Sequence, residues 1–430
     1  MAMHCGSLRA ANASIALFAL LAGSVCGEDT VHDDLIVQHA LLADIEATMG
    51  GGFEPAALSR HGRIVSAWCI GSDAKATGSL CSAQVSSASG RSSKQQLPLF
   101  RGFCSAIGDL TWNQRGFAIA AGCQRSAPGP TEVLLASQAE AHAATLDVLY
   151  RTHGRVFGVW VASSESGGWV IWQEAARGSI HDLTVRGVPL TSAGRPAAAA
   201  RPLILAGQWM EVGAVDLGVL PDGRAAIAYR APDPQQHHAR ALLLALVRPD
   251  EVTSTVVRVS EAGAADPGQP RLAISPAGIM ALVWKADGGV WLRRFAPDGS
   301  PLEPHPFRVD AAERVIFSGP HLPSIAVVGR SAAVLWHSAS EGMDRRFVRI
   351  VPGDTAAASA AVCIDSVPWA EPVGETDTIA TTGQQLQLFR WLRAPDNPRR
   401  RRLERASVLF SDLLGHAQGD LRCPQATEDS

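Results

Sequence analysis

Short runs of alternating apolar and polar residues, the period of a half-buried β-strand, follow one another along most of the chain between Gly-, Pro- and Asp-rich turns. A glycine recurs at the start of one of these strands with a large aromatic after it. Gly62 leads to Trp68, Gly223 to Tyr229, Gly278 to Trp284 and Gly383 to Phe389, each six residues on, and Gly329 leads to Trp336 at seven. Two weaker copies start at Gly116, before Phe117, and at Gly168, before Trp169 and Trp172. The ordered glycines are separated by 54, 52, 55, 55, 51 and 54 residues, the regularity of a tandem repeat.

Within the repeat the pattern predicts four antiparallel strands. The fourth unit gives Ala214–Leu220, Ala225–Arg230, Ala241–Val247 and Thr255–Val259. The fifth gives Arg271–Ser275, Ile279–Lys285, Val290–Phe295 and Pro306–Val309, and the sixth Ser324–Val328, Ser331–His337, Arg345–Ile350 and Ala361–Ile364. Gly154 to Trp160 also fits the glycine-to-aromatic spacing, but it would make intervals of 38 and 69 residues. Choosing Gly168 makes Arg155–Ala162 the innermost strand of the third unit; the other parsing makes Arg186–Ala206 an insertion. Four strands in about 50 residues make a propeller blade, so the expected fold is all-β, a seven-bladed β-propeller of four-stranded antiparallel blades that leaves no long open edge. The aromatics are then expected to fill the wedges between blades.

The repeat resembles those of secreted bacterial propeller proteins: an aromatic-ending strand, an Arg-Phe strand, then a turn such as Ala296, Pro297, Asp298, Gly299, Ser300, Pro301, Leu302. The resemblance covers most of the mature chain and implies architecture and export, not activity. A Trp-Asp repeat ending, a paired-glycine kelch pattern and a Ser-x-Asp-x-Gly-x-x-Trp box are all missing.

The N-terminus changes the picture most. Arg9 precedes the apolar run Ile15–Ala22, small Gly23 and Ser24 follow, and acidic Glu28, Asp29, Asp33 and Asp34 come next, the order of a secretory signal peptide. The organisation expected is a leader at 1–26, a lead-in at 27–52 and the propeller at 53–430, in an extracellular or periplasmic location. A membrane anchor would require lipidation of Cys26, which the preceding Gly23, Ser24 and Val25 fit poorly. In an exported chain the remaining cysteines suggest disulfides, with Cys69–Cys81, Cys104–Cys123 and Cys363–Cys423 as the expected pairs. For Asp33–Met49, Leu41, Leu42, Ile45 and Met49 fall at helical spacing before Gly50–Gly52. The competing readings complete the last blade with Leu35–Val37 or with Asp420–Cys423.

Composition adds exclusions. A formal charge of −3 supplies no positive field for a phosphate backbone, so nucleic acid is not an expected partner. No metal or cofactor motif and no GxSxG, HExxH or P-loop pattern occurs. His237 and His238 fall in an expected hairpin, Asp233–Ala239, and as strand-like neighbours point to opposite sides. Arg399–Arg402 with Arg405 form a basic run in another expected hairpin. Ligand-binding candidates come from the connections that enter the blades and line one mouth of the ring: Trp209 and Glu211, Glu313 and His321, Trp369 and Glu371, with Glu375 close by. Without a catalytic signature, the reading taken first is a non-enzymatic exported propeller that binds a glycan, peptide or envelope protein. The alternatives are a carbohydrate-active hydrolase or lyase using mouth carboxylates, and a structural subunit of a cell-surface assembly.

Overall fold

The computed structural model describes residues 38–415 and Cys423, apart from 47–55, 61–62, 71–78, 88–91, 113–115, 126–128, 140–144, 177–182, 206–213, 234–235, 252–253, 262, 311–321, 341, 354–358, 369–371, 383 and 395. The chain separates into Met1–Asp34, which lies outside the described residues together with the expected leader and Cys26, and Leu35–Ser430.

The second unit is built almost wholly of strands: β1 (Gln38–Glu46), then β2 (Ala56–Arg60), β3 (Arg63–Ile70), β4 (Ser79–Ser87), β5 (Ser92–Trp112), β6 (Gly116–Gln124), β7 (Thr131–Ala139) and β8 (Thr145–Thr152). The next sheet holds β9 (Arg155–Ser163), β10 (Gly168–Ala175), β11 (Leu183–Leu190) and β12 (Arg201–Pro202). The one after holds β13 (Val215–Val219), β14 (Ala225–Asp233), β15 (Gln236–Val247) and β16 (Thr255–Arg258). Then come β17 (Arg271–Ile274), β18 (Met280–Ala286), β19 (Gly289–Phe295) and β20 (Phe307–Arg308), and β21 (Ser324–Val328), β22 (Ser331–Ser340), β23 (Met343–Val351) and β24 (Val362–Pro368). The last sheet comprises β25 (Pro372–Thr382), β26 (Gln385–Ala394) and β27 (Asn397–Leu409), and is followed by α1 (Phe410–Gly415). Five sheets have four antiparallel strands. The remaining one has seven, because β5 pairs with β4 through Ser92–Gly102 and with β6 through Phe103–Trp112.

The first strands pack in a cycle: β2 on β5, β5 on β9, β9 on β13, β13 on β17, β17 on β21, β21 on β25, and β25 back on β2. The ring is sealed by β1, which pairs with β27 from Gln38↔Ser407 to Glu46↔Arg400 and so becomes the outer strand of the last sheet. This corrects the helical reading of Asp33–Met49. A register shift between Leu41 and Ala43 breaks the two-residue phase, which leaves Leu41, Leu42 and Ile45 at a spacing that mimics a helix. His237 and His238 likewise belong to β15 rather than to a loop, and Arg399–Arg402 and Arg405 belong to β27, where Arg405 is buried.

Positive φ accounts for the glycine at positions 223, 278 and 329 of the repeat, and Gly299 of the turn after β19 shares it. Gly223, Gly278 and Gly299 have φ of 87°, 81° and 90°, and each donates its N–H back across a turn, to the carbonyls of Leu220, Ser275 and Ala296. Only glycine adopts that conformation without strain, so the Pro-Asp-Gly sequences are structural turns. Apolar clusters lie between consecutive sheets. Trp169, Ile171 and Val185 meet Val215, Leu217 and Tyr229 at one boundary, and Val283 and Leu292 meet Val334 and Trp336 at another. Tyr229, Trp284, Trp336 and Phe389 are all buried, as wedge-filling side chains should be.

Cys104 and Cys123 form a disulfide across β5 and β6, and Cys363 of β24 is joined to Cys423. Cys423 therefore fastens the C-terminal segment to the β21–β24 sheet and not to the sheet that closes the ring. Cys69 and Cys81 stand directly opposite in the β3–β4 register.

Candidate functional site at the mouth end of the sheets

Because every sheet is antiparallel in chain order, first strands begin, second strands end, third strands begin and fourth strands end at the same end of the ring, the mouth end. The second strands bring ionisable residues there, one position beyond the wedge aromatics: Arg230 after Tyr229, Lys285 after Trp284, His337 after Trp336 and Arg390 after Phe389. Alternation turns each away from its aromatic neighbour, toward the opposite face of the sheet.

The densest group joins the last two sheets. Arg346 on β23 donates from Nε to Asp365 Oδ1 at 2.8 Å, from Nη2 to the other oxygen of Asp365, and from Nη1 to Asp377 Oδ2 at 2.9 Å. Arg390 on β26 adds a bond from Nη1 to Asp365 Oδ1 at 3.1 Å. His337 has Nδ1 2.9 Å from Asp344 Oδ2 and Nε2 3.4 Å from Asp377 Oδ2. All six side chains are buried. Burial disfavours a charged imidazole, but the carboxylates of Asp377 and Asp344 on either side outweigh it and hold His337 at about 9. Burial also opposes the charge on Asp377, and there His337, with Arg346 and Arg390, wins and brings the carboxyl down to about 2. With His337 protonated, three cations face three carboxylates and the group is neutral. Lys285, half-buried at the end of β18, borders it. Burial pushes its ammonium down to about 8 against the pull of Asp344.

This network imposes a pH dependence on folding. His337 has a folded value above its unfolded one, so its contribution is complete below about pH 6.5 and disappears as pH rises through about 9. Asp377 is depressed, so its contribution is complete above about pH 4 and disappears as pH falls through about 2. The two describe one interaction, worth on the order of 3 kcal/mol. Thermal midpoints are expected to fall between pH 6.5 and 8 in the native chain and to stay level over that range in His337→Gln; above pH 8 the lowered value of Lys285 works in the opposite direction and offsets the fall. An equal fall in both would assign the effect to other groups.

A second group spans the seven-stranded sheet and its neighbour. Glu132 on β7 holds Arg125 and Arg151 through their Nε atoms, at 2.6 and 2.8 Å. Burial works against this carboxylate, yet Arg151 and Arg125 keep it below the usual range. Glu174 on β10 takes Arg186 Nε at 2.6 Å and the Trp172 indole N–H at 3.2 Å. Farther round, Arg258 clamps the buried Asp233 with two bonds of 2.8 and 2.6 Å, and Arg230 reaches Asp266 at 2.9 Å.

Trp209, Glu211, Glu313, His321, Trp369 and Glu371 all lie outside the described residues. The sequence reading missed the His337–Arg346 network, although a signal for it was present: an ionisable residue recurring one position after the blade aromatic in strands otherwise apolar.

No protein-family model matches the chain, and no curated protein sequence is similar to it. Among solved structures, that of the polysaccharide lyase Uly1 superposes with a TM-score of 0.52 at 10% identity, over 85% of this chain and 92% of that one. The chain is a β-propeller. An ulvan lyase of family PL25 follows at a TM-score of 0.48 and 10% identity, covering 88% of this propeller and all of that chain (100%). The NanB sialidase from Streptococcus pneumoniae follows at 0.45 and 9%, covering 87% and 70%. The expectation of a non-enzymatic binder is withdrawn, because the structure that shares this fold at a TM-score of 0.52 is that of a polysaccharide lyase; at 10% identity the likeness gives the fold alone. The repeat could not make that distinction, because wedge aromatics and turn glycines serve a binder and an enzyme equally.

Proposed function

We propose that this propeller is a carbohydrate-active enzyme, a hydrolase or lyase, that works on a glycan at its mouth end. The observation that carries the reading is the gathering of ionisable groups there, above all Lys285, whose proton affinity of about 8 suits a group that exchanges protons near neutrality. The shared fold with a polysaccharide lyase over 85% of the chain supports it. Two disulfides favour an oxidising compartment, extracellular or periplasmic, reached through the leader at 1–26. Dividing β5 between Gly102 and Phe103 gives seven blades, the count we adopt. Glu211, Glu313 and Glu371, with Trp209, His321 and Trp369, are the further groups assigned to the mouth. A hydrolase needs two of these carboxylates about 5 to 9.5 Å apart.

The test is to incubate the full chain with a panel of polysaccharides and follow both new reducing ends and the ultraviolet absorbance of an unsaturated product. Both signals together indicate a lyase, and reducing ends alone a hydrolase. Lys285→Met is expected to lower kcat by about 10²- to 10⁴-fold with a smaller change in KM. Full kcat in that variant would remove Lys285 from the chemistry, and no turnover of any polysaccharide would overturn the reading.

A further inference from the structure

Four arginines crowd the mouth end where the seven-stranded sheet meets β9–β12, and each is oriented. Arg125 and Arg151 are fixed through Nε by Glu132, and Arg186 through Nε by Glu174. Arg186 also lies over the Tyr150 ring at 5.1 Å, and Arg155 over Phe157 at 4.8 Å. The glutamates are nearly covered while the arginines are not: side-chain exposure is 7% for Glu132 against 63% for both Arg125 and Arg151, and 10% for Glu174 against 26% for Arg186. Anchoring at Nε leaves the Nη ends as the outward donors. A guanidinium held this way presents its fork with little freedom left to lose on binding.

Direct contacts connect the groups. Tyr150 and Arg151 end β8, the exposed His153 occupies the turn, and Arg155 begins β9. Tyr150 in turn touches Trp172, with ring centroids 5.3 Å apart, and so links the turn to Glu174 and Arg186. Four arginines against two glutamates leave a local charge of +2 before His153 is counted, in a chain whose formal net charge is −3. Elsewhere at the mouth end cations meet carboxylates: His337, Arg346 and Arg390 face three aspartates, Arg258 binds Asp233 and Arg230 binds Asp266.

We propose that this patch binds the carboxylate or sulfate groups of an acidic polysaccharide, with Arg151, Arg155 and Arg186 donating and the Tyr150 and Phe157 rings backing the guanidinium planes of Arg186 and Arg155. The proposal rests on the carbohydrate-active reading and specifies its substrate class.

Affinity electrophoresis of the full chain through gels containing polygalacturonate, chondroitin sulfate or neutral galactomannan tests it. The expected result is retardation by at least one of the acidic polymers, weakening with salt, and none by galactomannan. The Arg151→Ala/Arg155→Ala double variant, altered only at exposed side chains, is expected to lose retardation by tenfold or more, and Arg186→Gln to lose it in part. Equal retardation of the native chain and the double variant, or retardation by galactomannan alone, would overturn the acidic-glycan assignment and leave the carbohydrate reading standing. Retardation by duplex DNA or binding to anionic vesicles, with none by any polysaccharide, would overturn both.

Discussion

Arg346→Met is expected to cost about 3–5 kcal/mol of stability, read as a shift of the urea midpoint at pH 6. The arginine touches Asp365 through two bonds and Asp377 through a third, and all three side chains are buried. Removing it leaves two carboxylates in a low-dielectric setting with much of their compensation gone, though Arg390 still reaches Asp365 and His337 still faces Asp377. Desolvated charges without partners are the expensive outcome, and the loss on breaking the network exceeds what the intact network adds, because bringing its charges out of water was itself costly. Arg346→Lys should recover only part of the loss, since an ammonium cannot span Asp365 with a two-pronged fork and reach Asp377 as well. A loss below about 1 kcal/mol in Arg346→Met would show that the sheets relax enough to hydrate the aspartates.

The second large effect concerns the Cys363–Cys423 disulfide. It closes a segment of 60 residues that includes β24 to β27 and α1. Chain-entropy arithmetic for a loop of that length gives about 4 kcal/mol, against about 3 for the 19-residue Cys104–Cys123 loop. In Cys363→Ser/Cys423→Ser the thermal midpoint is expected to drop, and the additional drop caused by reductant to shrink to the part owed to Cys104–Cys123. Identical midpoints in the native and doubly substituted chains would show that the β1–β27 pairing already does all the restraining.

Much of the blade structure was legible because each strand announces itself locally. Alternation and turn glycines lie within a few residues of one another, and in the fourth, fifth and sixth units the strands read from the sequence overlap β13–β24 throughout. Arg155–Ser163 is likewise the first strand of the β9–β12 sheet, as the Gly168 parsing requires. What escaped was set by partners distant in sequence. A bulge hid β1, and its pairing with β27 spans nearly the whole ring. His337, Asp344, Arg346, Asp365, Asp377 and Arg390 lie on five strands of two sheets, so no short motif contains them. The arginine surface was obscured because the net charge of −3 averages over it. Trp209, Glu211, Glu313, His321, Trp369 and Glu371 were chosen from connections, where neither periodicity nor packing constrains a side chain.

The pairing of β1 with β27 also sets an order of events. Among the described strands β1 is made first and its partner β27 last. Until β27 arrives, β1 has no strand to pair with, and the growing chain carries an open edge that invites pairing with other molecules. Ring closure is thus a late step with a long search, slow by the standards of proteins whose contacts are local. A cell producing this propeller has reason to keep the unfinished chain away from copies of itself, and a permuted version with β1 placed directly after β27 should refold faster while keeping the same sheets.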